Sequence, residues 1–296
     1  MLDKIQIKTN QSHKELKEHG SFQFPVLVSD ETLSRYKSGS FLWHWHKEIE
    51  FTYVAAGSML YQINDETFYL SEGEALFGNS NALHTGHMDN HQDCHYISIT
   101  FDPKLIYGYE GSLLQTKFVN PLIQNVNFSA IHFNLSEDWH EEIINNLHEI
   151  YKLVNHGGDF YELDIQLLLL QIWRLILRYK PSSLKAINKN DEQNFSRIKE
   201  MLSYIQENYT SKIELDDISK HVHVCKSECC RIFKRYMRVS LFEYILEYRV
   251  EKSLAYITNT NFSITEAALN VGFSDPNYFS KVFRKLKGCS PSKYPI

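Results

Sequence analysis

No apolar run in this 296-residue sequence approaches the roughly 18 residues that a membrane-spanning helix needs. The most leucine-rich stretch, LDIQLLLLQIWRLIL at 163–177, is interrupted by Asp164, Gln166, Gln171 and Arg174, so no membrane partner is expected. An export signal is missing too. MLDKIQIKTNQSHKEL has neither an apolar core nor a small-residue cleavage site, which predicts a cytoplasmic protein. Cysteine is sparse: the five at 94, 225, 229, 230 and 289 form no even, spaced framework, and reduced thiols are the expectation. The chain as a whole also lacks a strong charge of one sign, at a formal net −5. That balance hides an asymmetry. Residues 193–296 carry 16 Lys+Arg against 11 Asp+Glu, whereas the preceding residues carry 15 against 25. An acidic body with a basic tail predicts that the tail meets a polyanion.

What is present divides by period. Residues 22–101 read as short strands separated by turn signals. SMLYQIN (58–64) alternates, with Met59, Tyr61 and Ile63 on one face, and TFYL (67–70) follows across a short turn as a hairpin. CHYISITF (94–101) alternates again and groups His95, Ile97, Ile99 and Phe101. Several antiparallel strands of this length predict a barrel or jelly roll over about 1–135.

From Ser136 the period becomes helical. Ser136 is the candidate N-cap, and Trp139, Ile143, Leu147, Ile150 and Val154 step by four or three into one apolar stripe. Gly157-Gly158 ends that helix, and Asp159 can cap a second one running to about Tyr179. The second helix is apolar nearly all round, so one face needs a partner beyond this hairpin (136–180). A homodimer interface is the natural candidate, and cover by the barrel is the alternative. PSSLKAINKNDE (181–192) reads as a polar linker.

Residues 193–296 are helical and hold an internal repeat. DDISKHVHVCKSECCRIFKR (216–235) and TEAALNVGFSDPNYFSKVFRK (265–285) share a short helix, a Val, a turn and a second helix ending in aromatic-then-basic. Val222 matches Val271 and Phe233 matches Phe283, with one extra residue in the second copy. This is the plan of two helix-turn-helix units, joined by a helix at 241–257, whose second helices enter the major groove of double-stranded DNA. In the first copy Ile232 and Phe233 must face inward, which leaves Lys226, Ser227, Cys230, Arg231 and Lys234 outward. In the second, Pro276 suits the first helical position and Asn277, Ser280, Lys281 and Arg284 face out. Arg231 can read guanine and Asn277 adenine, while Lys234 and Arg284 sit where phosphates would lie.

NVGFSDPNYFSKVFRKLKGCSPSKYP (270–295) closely resembles the second helix-turn-helix signature of the AraC/XylS family of bacterial transcription regulators. With the first copy, Arg249 and Glu251-Lys252, the resemblance spans about 195–295. It implies two units reading one face of DNA in successive major grooves, about 34 Å apart. It also implies an effector-responsive regulator, an activator of sugar or other small-molecule metabolism that works with RNA polymerase. Two departures stand out. His223 occupies the first turn where the family has glycine, which predicts a histidine at positive φ, and Cys229 and Cys230 replace a buried Leu and a longer polar residue. His221, His223, Cys225 and Cys229 are metal-ligand types at short spacing without a standard zinc pattern, so a metal or redox switch there stands beside a core of small thiols.

At the other end, FLWHWHKEIEF (41–51) sets His44, His46 and Glu50 on one face of a strand, and His84 follows in EGEALFGNSNALHTG (72–86). This set resembles the cupin superfamily, whose two motifs supply three histidines and one glutamate to a divalent metal. Gly57 and Gly73 fit the pattern; Asn79, Asn81 and Met88 depart from it. Three readings stay open. His44, His46, Glu50, Tyr61 and His84, with Tyr61 or Phe101 as an apolar wall, form a metal-free pocket for a small effector such as a sugar or small acid; or the quartet holds a divalent metal; or the histidines are structural. The rival to a regulator is a metal-dependent cupin enzyme, a dioxygenase or isomerase with a helical accessory domain. No cofactor is required by the leading reading. Enzymes seldom carry two DNA-reading helices, whereas a regulator needs a pocket.

Overall fold

The computed structural model describes residues 5–10, 13–36, 38–90, 92–125, 127–179, 189–237, 239–257 and 262–294. The chain forms two compact units that part between Gln193 and Asn194.

The first unit is an antiparallel β structure followed by two helices. Its strands are β1 (Val26–Thr32), β2 (Ser40–His44), β3 (Ile49–Ile63), β4 (Glu66–Ser71), β5 (Ala75–Gly78), β6 (His84–Met88), β7 (Cys94–Phe101) and β8 (Ala130–Phe133). The 15-residue β3 runs through two sheets. Its first half lies in the order β1-β7-β3-β5-β8, and its second half pairs with β6 and β4, with β2 on the far side of β6. A register shift between Val54 and Ala56 separates the halves. Before it, Ile49, Phe51 and Tyr53 enter a core shared with the helices; after it, Met59, Tyr61 and Ile63 enter a second core. Such a bulge changes the face that a given parity of residue presents. Gly57 stands at φ +80, where an added Cβ would come within 2.3 Å of the Asp93 carbonyl oxygen. The 58–71 hairpin forms as expected, turning at Asn64 with φ 47.

After the short helices α1 (Lys104–Tyr107) and α2 (Asn120–Ile123) come α3 (Asp138–His156) and α4 (Tyr161–Tyr179). Ile143, Leu147 and Ile150 of α3 and Ile165, Leu169, Ile172 and Trp173 of α4 bury against Phe51, Phe77, Phe101 and Phe133 of the sheet. The sheet therefore covers much of the apolar surface of α4. The remainder stays exposed: Phe160 at 68%, Leu163 at 56% and Leu167 at 49%. Three local expectations shift. The N-cap of α3 is Glu137 in extended conformation, because the Ser136 hydroxyl is engaged by Asn134 Oδ1. The first turn of α4 closes Asp164 N–H onto the Phe160 carbonyl, one residue past Asp159. The linker expected at 181–192 lies outside the described residues up to 188, and from Lys189 the chain is already helical.

The second unit is all helix: α5 (Lys189–Asn208), α6 (Leu215–His221), α7 (Lys226–Met237), α8 (Leu241–Ile257), α9 (Ile264–Asn270) and α10 (Pro276–Lys287). Ser263 caps α9 in a reciprocal box with Glu266, and Asp275 caps α10 ahead of Pro276. Phe279 and Phe283 of α10 close a core with Val250, Leu254, Ala268 and Val271. Ile232 and Phe233 of α7 are likewise buried, as their spacing predicts.

Candidate nucleic-acid interface and effector pocket

The turns of the two helix-turn-helix units share two matching backbone hydrogen bonds. In the first, His223 N–H donates to Lys220 O (3.2 Å) and Val224 N–H to Ser219 O (3.0 Å). In the second, Gly272 N–H donates to Leu269 O (3.0 Å) and Phe273 N–H to Ala268 O (3.0 Å). Val222 and Val271 close their helices at nearly the same dihedrals, φ −96, ψ 11 and φ −102, ψ 12. His223 adopts φ 55 where the second copy has Gly272 at φ 87. Histidine tolerates this region at modest cost, and its side chain is exposed there.

The expected outward residues do point outward. Lys226, Ser227, Cys230, Arg231 and Lys234 on α7 are exposed, as are Asn277, Lys281 and Arg284 on α10, with Ser280 half-buried. Their surroundings differ. Lys226 Nζ lies 3.0 Å from Asp216 Oδ1, and Arg231 is held by both oxygens of Glu228, at 2.7 and 2.5 Å. Ser280 Oγ donates to the Pro276 carbonyl (3.0 Å). The Cys/His cluster does not assemble. Cys229 is buried against Met201 Sδ (4.0 Å), His221 packs on Tyr204 and Cys225 is exposed beside Ser227 Oγ (3.1 Å). Burial pushes the Cys229 thiol up to about 11, which leaves it a packing residue. Arg249, part of the sequence signature, bonds the carbonyls of Tyr209 (2.8 Å) and Ser211 (2.7 Å) and so pins the end of α5 to α8.

In the first unit the histidines converge, but from different segments than expected. His44 ends β2, His46 lies in the connection that crosses between sheets, Glu50 sits on β3 and His84 opens β6. The three histidines are buried and Glu50 is half-buried, with ring centroids 4.0 Å apart for His44–His84 and 5.1 Å for His46–His84. His44 Nδ1 pairs with the Leu42 carbonyl (2.9 Å) and His84 Nδ1 with that of Ala82 (3.0 Å). A carbonyl can only accept, so both rings carry their proton on Nδ1 and present a bare Nε2. Among the described residues, His84 Nε2 and both nitrogens of His46 have no hydrogen-bond partner. Glu50 accepts from Tyr61 (3.1 Å), Thr52 (3.1 Å) and Thr100 (3.2 Å), and its Oε2 is 3.4 Å from His46 Nε2. Burial raises the Glu50 carboxyl, but the adjacent His46 and the electrostatic influence of the His84, His46 and His44 rings hold it well below the usual range. Burial, then the adjacent His84 and His46, keeps His44 neutral far below its ordinary pKa.

A cavity of ≈ 370 Å³ opens beside this cluster. His44 and Glu50 line it; His46, Tyr61 and His84 are not among its lining residues. Phe101 faces the opposite core and stacks with Phe51, because β7 alternates with it on the helix side. The walls that sequence reasoning missed come from the N-terminal segment and from the inner face of β1 and β7: Gln6, Glu15, His19, Ser29, Tyr96 and Ser98. Glu15 and His19 reach the cluster because Glu15 N–H donates to the Trp45 carbonyl (2.9 Å). His19 then bridges Glu15 (3.0 Å) and Glu48 (3.2 Å). Burial opposes its protonation, yet the two carboxylates push it up to about 9. Nothing in KELKEHG distinguishes these residues from a solvated charge run.

Two units of this kind define a DNA-binding protein with a small-molecule-binding head. Residues 218–295 match the family model described as a helix-turn-helix domain, and residues 32–173 match the AraC-like ligand binding domain. The chain is 31% identical over 291 residues, 96% of each sequence, to the uncharacterized HTH-type transcriptional regulator YdeC of Bacillus subtilis (strain 168). It is 25% identical over 261 residues to the melibiose operon regulatory protein of Escherichia coli (strain K12), covering 85% of this chain and 82% of that one. Among solved structures it is similar to wild-type ToxT from Vibrio cholerae strain SCE256 with a bound unsaturated fatty acid: 15% identity, 91% and 94% coverage, TM-score 0.42. The chain belongs to the AraC family of transcription regulators. It is a DNA-binding regulator with a ligand-binding domain, not an enzyme. Among the described residues no helix is long and apolar enough to cross a membrane.

Proposed function

We propose that the chain is a cytoplasmic, homodimeric activator that reads a promoter with α7 and α10 and responds to a sugar held in its head. The observation that carries the DNA reading is the pair of matched turns, each presenting a helix with a buried aromatic side and a polar, basic outer side. The nine residues Lys226, Ser227, Cys230, Arg231, Lys234, Asn277, Ser280, Lys281 and Arg284 form the contact set. A cavity walled by carboxylates, hydroxyls and imidazole beside Tyr36, Phe41 and Tyr96 suits a polyhydroxylated ligand. The melibiose regulator among the relatives favours a sugar. The exposed stripe of Phe160, Leu163 and Leu167 supports pairing of two copies through α4. RNA polymerase is then the partner of the DNA-bound dimer.

Binding to duplexes drawn from a randomised pool tests this. Six to ten phosphate contacts give a log–log salt slope of about −5 to −9. Arg284→Ala weakens all sequences alike, and Asn277→Ala relaxes base preference, costing about 1–3 kcal/mol. Affinity indifferent to both substitutions refutes the interface.

A second reading concerns a divalent cation at His44, His46, His84 and Glu50. It is favoured by the buried nitrogens of His46 and His84 that make no hydrogen bond to the described residues and by the tautomers of His44 and His84, which leave bare Nε2 atoms. Three imidazoles and a carboxylate suit a first-row ion. Held by His44, His46, His84 and Glu50, the ion would supply a Lewis-acid anchor for an effector oxygen. Elemental analysis after equilibration with Mn, Fe, Ni or Zn, followed by desalting, checks it: about one ion per chain, lost in His84→Ala, supports the site, and no retained ion refutes it.

A further inference from the structure

One acidic residue on the outer side of α7 calls for an explanation. Glu228 stands one turn before Arg231, 32% exposed, and grips it in a bidentate pair: Arg231 Nε donates to Oε2 at 2.7 Å and Nη2 to Oε1 at 2.5 Å. A negative charge on a helix that approaches phosphates lowers affinity for every sequence, so this placement needs another benefit. We infer that Glu228 is a specificity-determining positioning residue, holding the Arg231 guanidinium side-on so that its far end is presented to one guanine in the major groove. The inference rests on Arg231 lying in the proposed DNA interface.

The geometry of the guanidinium carries the argument. Arginine has five N–H donors on a rigid fork. Glu228 occupies the edge formed by Nε–H and one Nη2–H. The remaining edge, with Nη1–H and the second Nη2–H, has no partner among the described residues and points along the axis of the side chain. Two parallel donors at that spacing match the N7 and O6 acceptors of guanine, a pair no other base presents in the major groove. A long side chain also loses rotamer freedom when it docks, and a fork already held in place has less to lose. The second unit lacks this device: the residue three before Arg284 is Lys281, and Arg284 has no ion-pair partner among the described residues. Arg284 therefore acts as a mobile cation and Arg231 as an aimed fork. Lys226, the other cation at the start of α7, is turned to Asp216, which leaves the fork unobstructed.

Glu228 also suits the first turn of a helix electrostatically, so a purely structural role is the rival. The test uses the full-length chain and a duplex selected from a randomised pool, then re-synthesised with all four base pairs at each position. Arg231→Ala should erase a guanine preference of about tenfold at one position. Glu228→Gln, which keeps the shape and removes the charge, should lower that same preference at least about threefold. Other positions and the salt slope should hold, with the thermal midpoint moved by no more than a few degrees. Glu228→Gln that changes all sequences by one common factor, or only the thermal midpoint, overturns the inference while Arg231 remains a reader. Arg231→Ala with no positional effect overturns the underlying contact assignment instead.

Discussion

At residue 272 a methyl group has nowhere to go: an added Cβ would lie 2.3 Å from the Tyr209 carbonyl oxygen, at a backbone φ of +87. Gly272→Ala should therefore cost at least about 2 kcal/mol in urea unfolding of the second unit and weaken DNA binding with it. The equivalent His223 is exposed, and His223→Gly should change stability by no more than about 1 kcal/mol. The same logic accounts for the departures in the second head motif. Asn81 replaces a glycine at φ 60, a region asparagine tolerates, and Asn79 donates to the carbonyls of Leu122 (2.9 Å) and Phe128 (2.7 Å). His19 adds a pH signature. Its folded pKa is raised to about 9 above an ordinary 6.5, so its contribution is complete below about pH 6.5 and lost as pH climbs through 9. In chelator-treated protein, stability should fall across that interval, and His19→Gln should flatten the fall.

At the scale of elements, the helices were the most legible part of the sequence. The apolar stripe of α3 and the inward Phe233 and Phe283 follow from a 3.6-residue period, and the connecting helix at 241–257 forms with the bounds expected of it. Phe283→Ala, which empties a fully buried site, should cost about 3–5 kcal/mol by denaturant titration. Leu167→Glu on the exposed side of α4 should leave the fold intact and shift sedimentation from dimer to monomer; an unchanged oligomer would place the interface elsewhere. The strands were harder to read. His44, His46 and Glu50 share parity, but β2 stops at His44 and β3 begins at Ile49, in different sheets. Parity cannot register a crossing between sheets, and it cannot see the bulge at Val54 that moves Tyr61 onto the face of Glu50.

For the molecule as a whole, the charge asymmetry and the repeat located the DNA-binding half, because both are local properties of contiguous sequence. The candidate pocket was only partly legible. His44 and Glu50 lie in a recognisable motif, whereas Glu15 and His19 enter through backbone pairing that leaves no compositional trace. Regulation then requires that the ligand bind one arrangement of the chain more tightly than another, by about 1–3 kcal/mol for a 5- to 150-fold response.

The continuous β3 strand constrains how such a sensor can diversify. Because one strand supplies both Glu50 to the pocket and the Tyr61 hydroxyl that donates to its carboxylate, a one-residue insertion between them would turn one of the two away from its neighbour. New specificity must instead arise by exchanging side chains on β1, β7 and the N-terminal segment, where each position can vary without disturbing the scaffold's register.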